Sequence, residues 1–474
     1  MEQNTQPTEN TQQPKSSKVS MKEILAINKL KYALPSRLSV VERRQNKISY
    51  ADATVYSSSS GNEVVVRLTA SQDYTYGPNS YLTFDIEGVA ADGDLGFKSH
   101  TAMALFREVI FEDRSGVELE RVSRLNSYCA QVVPWHHGSK YKETVKAMAG
   151  QFEGGEQVYS VTTGIPISPR VWKTNGIVAD YDIKASKLTV SIPLRHFLGI
   201  FDRETLIPSM LLSGSMIRLQ LETPSVALQK LDATNGSAVV ATDYTLRNVR
   251  VVLDSMALKP VVQKNLLEQS QSGGLDYTYE TAYHQSANPG TGKAFNLQVN
   301  KAVARVQKIY WSARSQTTPA QTNKDSLGTS LADIAVLQYR VGDLYLPTKA
   351  IRCSTTDTQK NGAEFYENSL QSVKRMKTYM YPTSITKDEF LRSGLELKAA
   401  AADNDNSGRC VHVQSFEMSS SGEYSGLGIN NSRTLEVQIE FQADAPALSP
   451  RTLDSWIKFV KLAKCSSLRT IIKE

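Results

Sequence analysis

The chain has 474 residues, of which 22% are charged and 40% hydrophobic, with a formal net charge of +6. That length exceeds what one hydrophobic core serves and suits two domains of roughly 200 residues, while no run approaches the roughly 20 apolar residues that a membrane span needs. The polar N-terminus lacks the apolar stretch of a signal peptide, so no export is expected, and Cys129, Cys353, Cys410 and Cys465 are too scattered for a zinc site and read as free packing thiols in a reducing compartment.

The charge is concentrated at one end. Residues 1–47 hold nine basic groups (Lys15, Lys18, Lys22, Lys29, Lys31, Arg37, Arg43, Arg44, Lys47) against four glutamates, so this stretch is +5 and the rest of the chain only +1. Its first twenty residues are rich in Gln, Asn, Thr, Ser and Pro and cannot bury enough apolar surface to order alone. MKEILAINKLKYAL then places Met21, Ile24 and Leu25 on one helical face, ending at Pro35. Residues 1–49 are therefore expected to form a basic arm with a short amphipathic helix, suited to a polyanion or a membrane surface.

From about residue 50 the apolar period switches from 3.6 to 2, the mark of half-buried strands. YLTFDIEG alternates Leu82, Phe84 and Ile86 against polar neighbours, KLTVSIP does so with Leu188, Val190 and Ile192, and MIRLQLE with Ile217, Leu219 and Leu221. FREVIFEDRSGVELERV reads as two strands around a turn that Gly116 closes with a positive φ. YTLRNVRVVLDSMALKP is a long closing strand, giving a first sandwich over 50–260. VVQKNLLEQSQSGG reads as a helical linker over 261–274. A second all-β block over 275–450 repeats the style in FNLQVNKAVARVQKIYWSAR, AVLQYRVGDLYLP, CVHVQSFEM and RTLEVQIEFQA, with helices expected only between strands, as at FYENSLQSVKRM and KDEFLRSGL. In RTLDSWIKFVKLAKC, Leu453, Trp456, Ile457 and Val460 share a helical stripe, so 451–474 is expected to be a C-terminal helix and tail. Mainly antiparallel β structure in two consecutive sandwiches follows.

Tests for chemistry fail one by one. The six histidines, at 100, 136, 137, 196, 284 and 412, show no metal-binding spacing. NPGTGKAF has Ala287 and Ala294 where a phosphate loop needs Gly and Ser or Thr, and reads as a surface turn. Glu118 and Glu120 read as a solvated strand face rather than a glycosidase pair. In AADNDNSG, Asp403, Asp405, Ser407 and Gly408 match the start of a calcium loop, but Gln414 stands where its bidentate Glu belongs, so an exposed loop tip is expected. No catalytic residue, metal or cofactor is expected.

What remains is an order of segments. ALFREVIFEDRSGVELERV (104–122), SIPLRHFLGIFDRETLIPSMLLSGSMIRLQLE (191–222) and YTLRNVRVVLDSMAL (244–258), followed by LQYRVGDLYLP, YENSLQSVKR and YSGLGINNSRTLEVQIEF, resemble in sequence and order the double jelly-roll major capsid proteins, most closely those of polinton-like viruses and virophages. The resemblance spans about residues 50–465 and rests on structural positions, among them Gly116, Ile192, Pro193, Leu194, Pro208 and Gly214. It implies two jelly rolls, a homotrimer with pseudo-hexagonal outline, an icosahedral shell built from such trimers with penton and minor capsid proteins as partners, residence in the virion, and an inward arm meeting the genome or an inner membrane. The other reading is a two-domain jelly-roll glycan-binding protein or glycan amidase, which would show exposed tryptophan, with Trp135 and Trp172 in loops its best support.

Overall fold

The computed structural model describes residues 41–59, 62–90, 95–97, 101–137, 188–230, 241–288, 294–315, 327, 334–353, 362–373, 383, 385, 390, 411–416, 426–430, 433–441, 451–465 and 470–473. The basic groups from Lys15 to Arg37, the helix expected at 21–34, Trp172, Cys410, His100 and the acidic loop at 402–408 lie outside the described residues.

Among the described residues, sixteen principal strands form two successive sets of eight. The first set is β1 (Val41–Tyr50), β2 (Glu63–Arg67), β3 (Tyr74–Ala90), β4 (Phe106–Glu112), β5 (Glu118–Ser123), β6 (Leu188–Pro193), β7 (Met216–Leu221) and β8 (Ala241–Leu258). The second is β9 (Leu275–Ala287), β10 (Ala294–Gln298), β11 (Val303–Ser315), β12 (Ile334–Val341), β13 (Leu344–Arg352), β14 (His412–Ser415), β15 (Leu435–Phe441) and β16 (Arg451–Cys465). The first set makes one sheet in the order β1-β8-β3-β6 and another in the order β2-β7-β4-β5. The second set repeats both orders, β9-β16-β11-β14 and β10-β15-β12-β13, so adding eight to each label maps one set onto the other. Eight antiparallel strands wound in this order make a jelly roll. The fold is a double jelly roll, and residues 41–474 form one compact unit.

Register explains why the alternating segments were legible. Leu82 pairs with Ile192 and Val251, and Phe84 with Val190, so the apolar positions of three strands point the same way. In the facing sheet Ile217 pairs with Val66 and Phe111, and Leu219 with Val64 and Val109. The second roll is built alike, with Leu337 opposite Ile439 and Tyr339 opposite Val437. Fully burying each such side chain contributes about 1.5–3 kcal/mol. Three helices matter below: α1 (Leu125–Gln131), α2 (Pro260–Ser272), which joins the rolls, and α3 (Gly362–Val373).

Two boundaries differ from expectation. The stretch 451–465 is not a helix but strand β16, the inner strand between β9 and β11. Ile457 and Phe459 face the second roll's own core, and Trp456 on the opposite face is covered by Tyr128 at a ring distance of 6.3 Å. A strand buried on both faces loses its period of 2, and its continuous apolar run then imitates a helical stripe. The first roll likewise begins at Val41 rather than at residue 50. Arg43, Arg44 and Lys47 therefore belong to β1 and not to the arm, because Arg44 Nε donates to Asp254 Oδ1 at 2.8 Å and Lys47 Nζ pairs with Asp73 at 2.7 Å. Carboxylates of the first roll already engage these two cations, and the pairing with Asp254 raises the Arg44 pKa.

Candidate functional site: the seam between the rolls

The segment from Ile192 to Gly214 carries the chain from one sheet of the first roll to the other. Pro193 ends β6, Leu194–His196 and Gly199–Phe201 are 3-10 turns, and Pro208 precedes the single helical turn Ser209–Leu212. Phe197, Leu198, Ile200, Phe201, Ile207 and Leu211 are buried in the first core, and Thr75 and Ile207 exchange backbone hydrogen bonds of 2.8 and 3.1 Å. Gly116, at φ +80°, closes the β4–β5 hairpin, where Asp113 Oδ1 accepts the N–H groups of Ser115 and Val117. Gly214, at φ +75°, lies beneath the Arg114 side chain, so the hairpin tip and the end of the loop sit side by side. Ile192 and Leu194 are buried core residues. These positions shape the first roll and hold no reactive group.

The same loop also forms half of a buried junction with the second roll. The Glu120 carboxylate on β5 accepts the N–H groups of Gly199 at 2.9 Å and Ile200 at 3.1 Å. From β9, Tyr277 donates its hydroxyl to the Ile200 carbonyl at 2.9 Å and Tyr279 donates to the Leu119 carbonyl at 2.5 Å, while Arg203 donates to Thr278 at 2.9 Å. Gly199 is required by close approach, since a Cβ there would stand 1.6 Å from the Glu280 carbonyl oxygen. Glu280 in turn pairs with Lys458 of β16 at 2.8 Å.

A second contact reaches the other way. Residues of α1 and the following turn, Val133–His136, lie on the outer face of the sheet that contains β16. Ser312 donates to Gln131 at 3.1 Å, His136 Nε2 and the Tyr310 hydroxyl share a hydrogen bond of 2.6 Å, and Trp135 meets Phe390 at 5.9 Å. Each roll thus completes the other's core: Tyr277 and Tyr279 join the first, Val132 and Trp135 the second.

Electrostatics in the seam follow from burial. Removal from water pushes the Glu120 carboxyl up to about 7, against the opposing pull of the Gly199 and Ile200 N–H groups and the Lys461 charge. Burial likewise lifts Tyr128 to about 12. At Lys458 burial opposes the charge, but the Glu280 carboxylate and neighbouring Tyr128 and Tyr310 outweigh it and the pKa rises. The His137 and His196 rings lie 5.2 Å apart with their planes tilted at 59°, and burial lowers His137 to about 4 and His196 well below the usual value, with the Arg195 charge adding to both. Both imidazoles are therefore neutral near pH 7.

Two expectations about this region are corrected. Glu120 is not on a solvated face: it is 1% exposed, because the second roll covers β5, a fact that a strand read in isolation does not contain. Trp135, the best described support for glycan binding, is wholly buried in the second core. Among the described residues no group of three or more His, Cys, Asp or Glu converges to hold a metal, and no described helix is long and apolar enough to cross a membrane. Cys129, Cys353 and Cys465 are buried free thiols, and burial raises the pKa of each. Gly199, Tyr277, Tyr279, Glu280 and Lys458 carry no sequence signal for the seam, since each contact joins residues about 75 or more positions apart or spans two strands of the second roll.

The fold defines a class, that of proteins built from two consecutive jelly rolls. No protein-family model matches the sequence, and no curated protein does. Solved structures do. A chain of the Sputnik virophage is similar with TM-score 0.61 and 11% identity, over 99% of this chain and 93% of that one. The Faustovirus major capsid protein is similar with TM-score 0.60 and 10% identity over 94% of both chains, and a chain of the PBCV-1 virus capsid with TM-score 0.55 and 12% identity over 94% of this chain and 99% of that one. At such identities the likeness is one of fold, and it embraces both rolls.

Proposed function

We propose that this chain is a major capsid protein, the structural subunit of an icosahedral virus shell, residing in the virion and performing no catalysis. The observation that carries this is the repetition of one eightfold strand order in two rolls locked through a buried seam. Two rolls with the same architecture present similar outlines, so three copies supply six rolls around an axis and make a tile that packs as a hexagon. The near-neutral body suits dense lateral packing without self-repulsion. Likeness to the Faustovirus major capsid protein over 94% of both chains supports the reading.

On this reading the chain's first partner is itself, as a homotrimer and then a lattice, with penton and minor capsid proteins completing the shell. The arm, now bounded at Val40, faces inward, where Lys15, Lys18, Lys22, Lys29, Lys31 and Arg37 meet the genome or an inner membrane by salt-dependent attraction. Light scattering of the purified chain should give three times the 52.4 kDa chain mass, and electron microscopy six-lobed particles. A stable monomer at all concentrations would overturn the proposal.

A further inference from the structure

The two segments of the first roll that reach the second meet at a pair of imidazoles. One is the turn Val133–His136, which covers the second roll through Trp135 and His136, and His137 is the next residue. The other is the loop whose Gly199 and Ile200 are held between Glu120 and β9, and His196 stands three residues before Gly199. The pair therefore joins both halves of the seam. Its rings are 5.2 Å apart, and His196 is only 4% exposed. Neutral imidazoles pack in this way without cost, but two imidazolium ions at that separation repel each other and have both lost their water.

The groups around the pair sharpen the effect. Arg195, in the same turn as His196, brings a permanent positive charge, and its Nε is buried with no hydrogen-bond partner among the described residues. From α1, the Cys129 thiol donates to the His196 carbonyl at 3.5 Å and stays neutral, because burial raises its pKa. β3, on which the Leu194–His196 turn packs, brings Tyr81, which pairs with Pro193. From the second roll, Tyr310 bonds to His136. The seam carboxylates Glu120 and Asp202 act on Tyr128, and Asp202 also on Lys458. The charges that act on the imidazoles are those of Arg195 and, on His196, of His137.

We propose that the contact between His137 and His196 is an acid-sensitive latch: protonation of the two imidazoles parts the segments that join the rolls and opens the seam while the second roll stays folded. The sign follows from linkage. Each imidazole binds its proton more readily in the open seam, at the ordinary 6.5, than in the closed one, so opening is favoured as pH falls below 6.5. Glu120 opposes this, because its raised pKa makes the closed seam take up a proton as pH falls through about 7. Two imidazoles outweigh one carboxyl. The latch stands on the seam alone and goes beyond the capsid reading, under which acid loosens each subunit from within.

Thiol labelling of the full chain tests this, since Cys129 is wholly buried beside His196 and Cys353, in the core of the second roll, serves as the control. The probe is 4,4'-dithiodipyridine, which reacts in acid. Labelling rates are located by mass spectrometry and divided by those of the urea-unfolded chain at the same pH. Between pH 7 and pH 5 each imidazole should favour opening about 20-fold and Glu120 oppose it about 40-fold, so Cys129 should become about tenfold more accessible in the wild type. Glu120→Gln should enlarge the rise to about 400-fold, and His137→Gln should abolish it. His196→Gln should do the same; if that buried variant fails to fold, His137→Gln, which is less buried, carries the test. Cys353 should stay protected throughout. Unchanged protection of Cys129 in both the wild type and Glu120→Gln overturns the proposal, as does a rise that survives in His137→Gln. Labelling of Cys353 in step with Cys129 also overturns it, because acid then unfolds the whole chain rather than the seam.

Discussion

Gly199→Ala is the sharpest probe of the seam. The added carbon would lie 1.6 Å from the Glu280 carbonyl oxygen and 2.8 Å from its carbon, where real contacts are essentially never below 3.0 Å. Both atoms it meets are backbone, so no side chain can swing aside, and the first roll's loop and β9 must part by roughly 1.5 Å. That displacement breaks the hydrogen bond from Tyr277 to Ile200 and strains those from Gly199 and Ile200 to Glu120. The bond across the seam contributes about 0.5–1.5 kcal/mol and forced overpacking costs about 1–3 kcal/mol, so a total of roughly 1.5–4.5 kcal/mol is expected. With domains of this size that corresponds to a fall in melting temperature on the order of 10 °C, and because the loss falls between the rolls, calorimetry should resolve two transitions where the wild type shows one. Gly273→Ala, where a Cβ would meet nothing within 4 Å, serves as the control. A Gly199→Ala protein melting within about 2 °C of wild type would refute the reasoning.

Glu120 makes stability depend on pH. A carboxyl whose folded pKa of about 7 lies above its ordinary 4.5 takes up a proton on folding, so its contribution is full below about 4.5 and is lost as pH rises through about 7. The difference is at most about 3 kcal/mol, and denaturant titrations at pH 5 and pH 8 should show Glu120→Gln lacking that part of the wild-type slope; an identical slope in both proteins would exclude the group. Truncation should discriminate arm from roll. Removing residues 1–40 should leave soluble trimers that assemble poorly into shells, whereas removing 1–47 should abolish folded trimers, because Arg44 and Lys47 anchor β1 to Asp254 and Asp73. Normal assembly of the shorter truncation would make the arm dispensable.

Period-2 alternation in Leu82–Ile86, Leu188–Ile192 and Ile217–Leu221 is a local property, and it survives into the fold because each of those strands buries one face only. The jelly-roll order of segments and the turn at Gly116 were legible for the same reason: a hairpin's geometry is set by the residues that form it. β16 was illegible because both its faces are covered, which removes the alternation that announces a strand. The extent of β1 was hidden because its charges, read as those of a solvated arm, are engaged by Asp254 on β8 and by Asp73 just before β3, neither of which is adjacent in the chain. Glu120 shows the limit most plainly. Its neighbours along the chain describe an exposed strand face, and only the arrival of the second roll, with Tyr277, Tyr279 and the close approach at Gly199, turns that face into the buried seam that makes two rolls one unit.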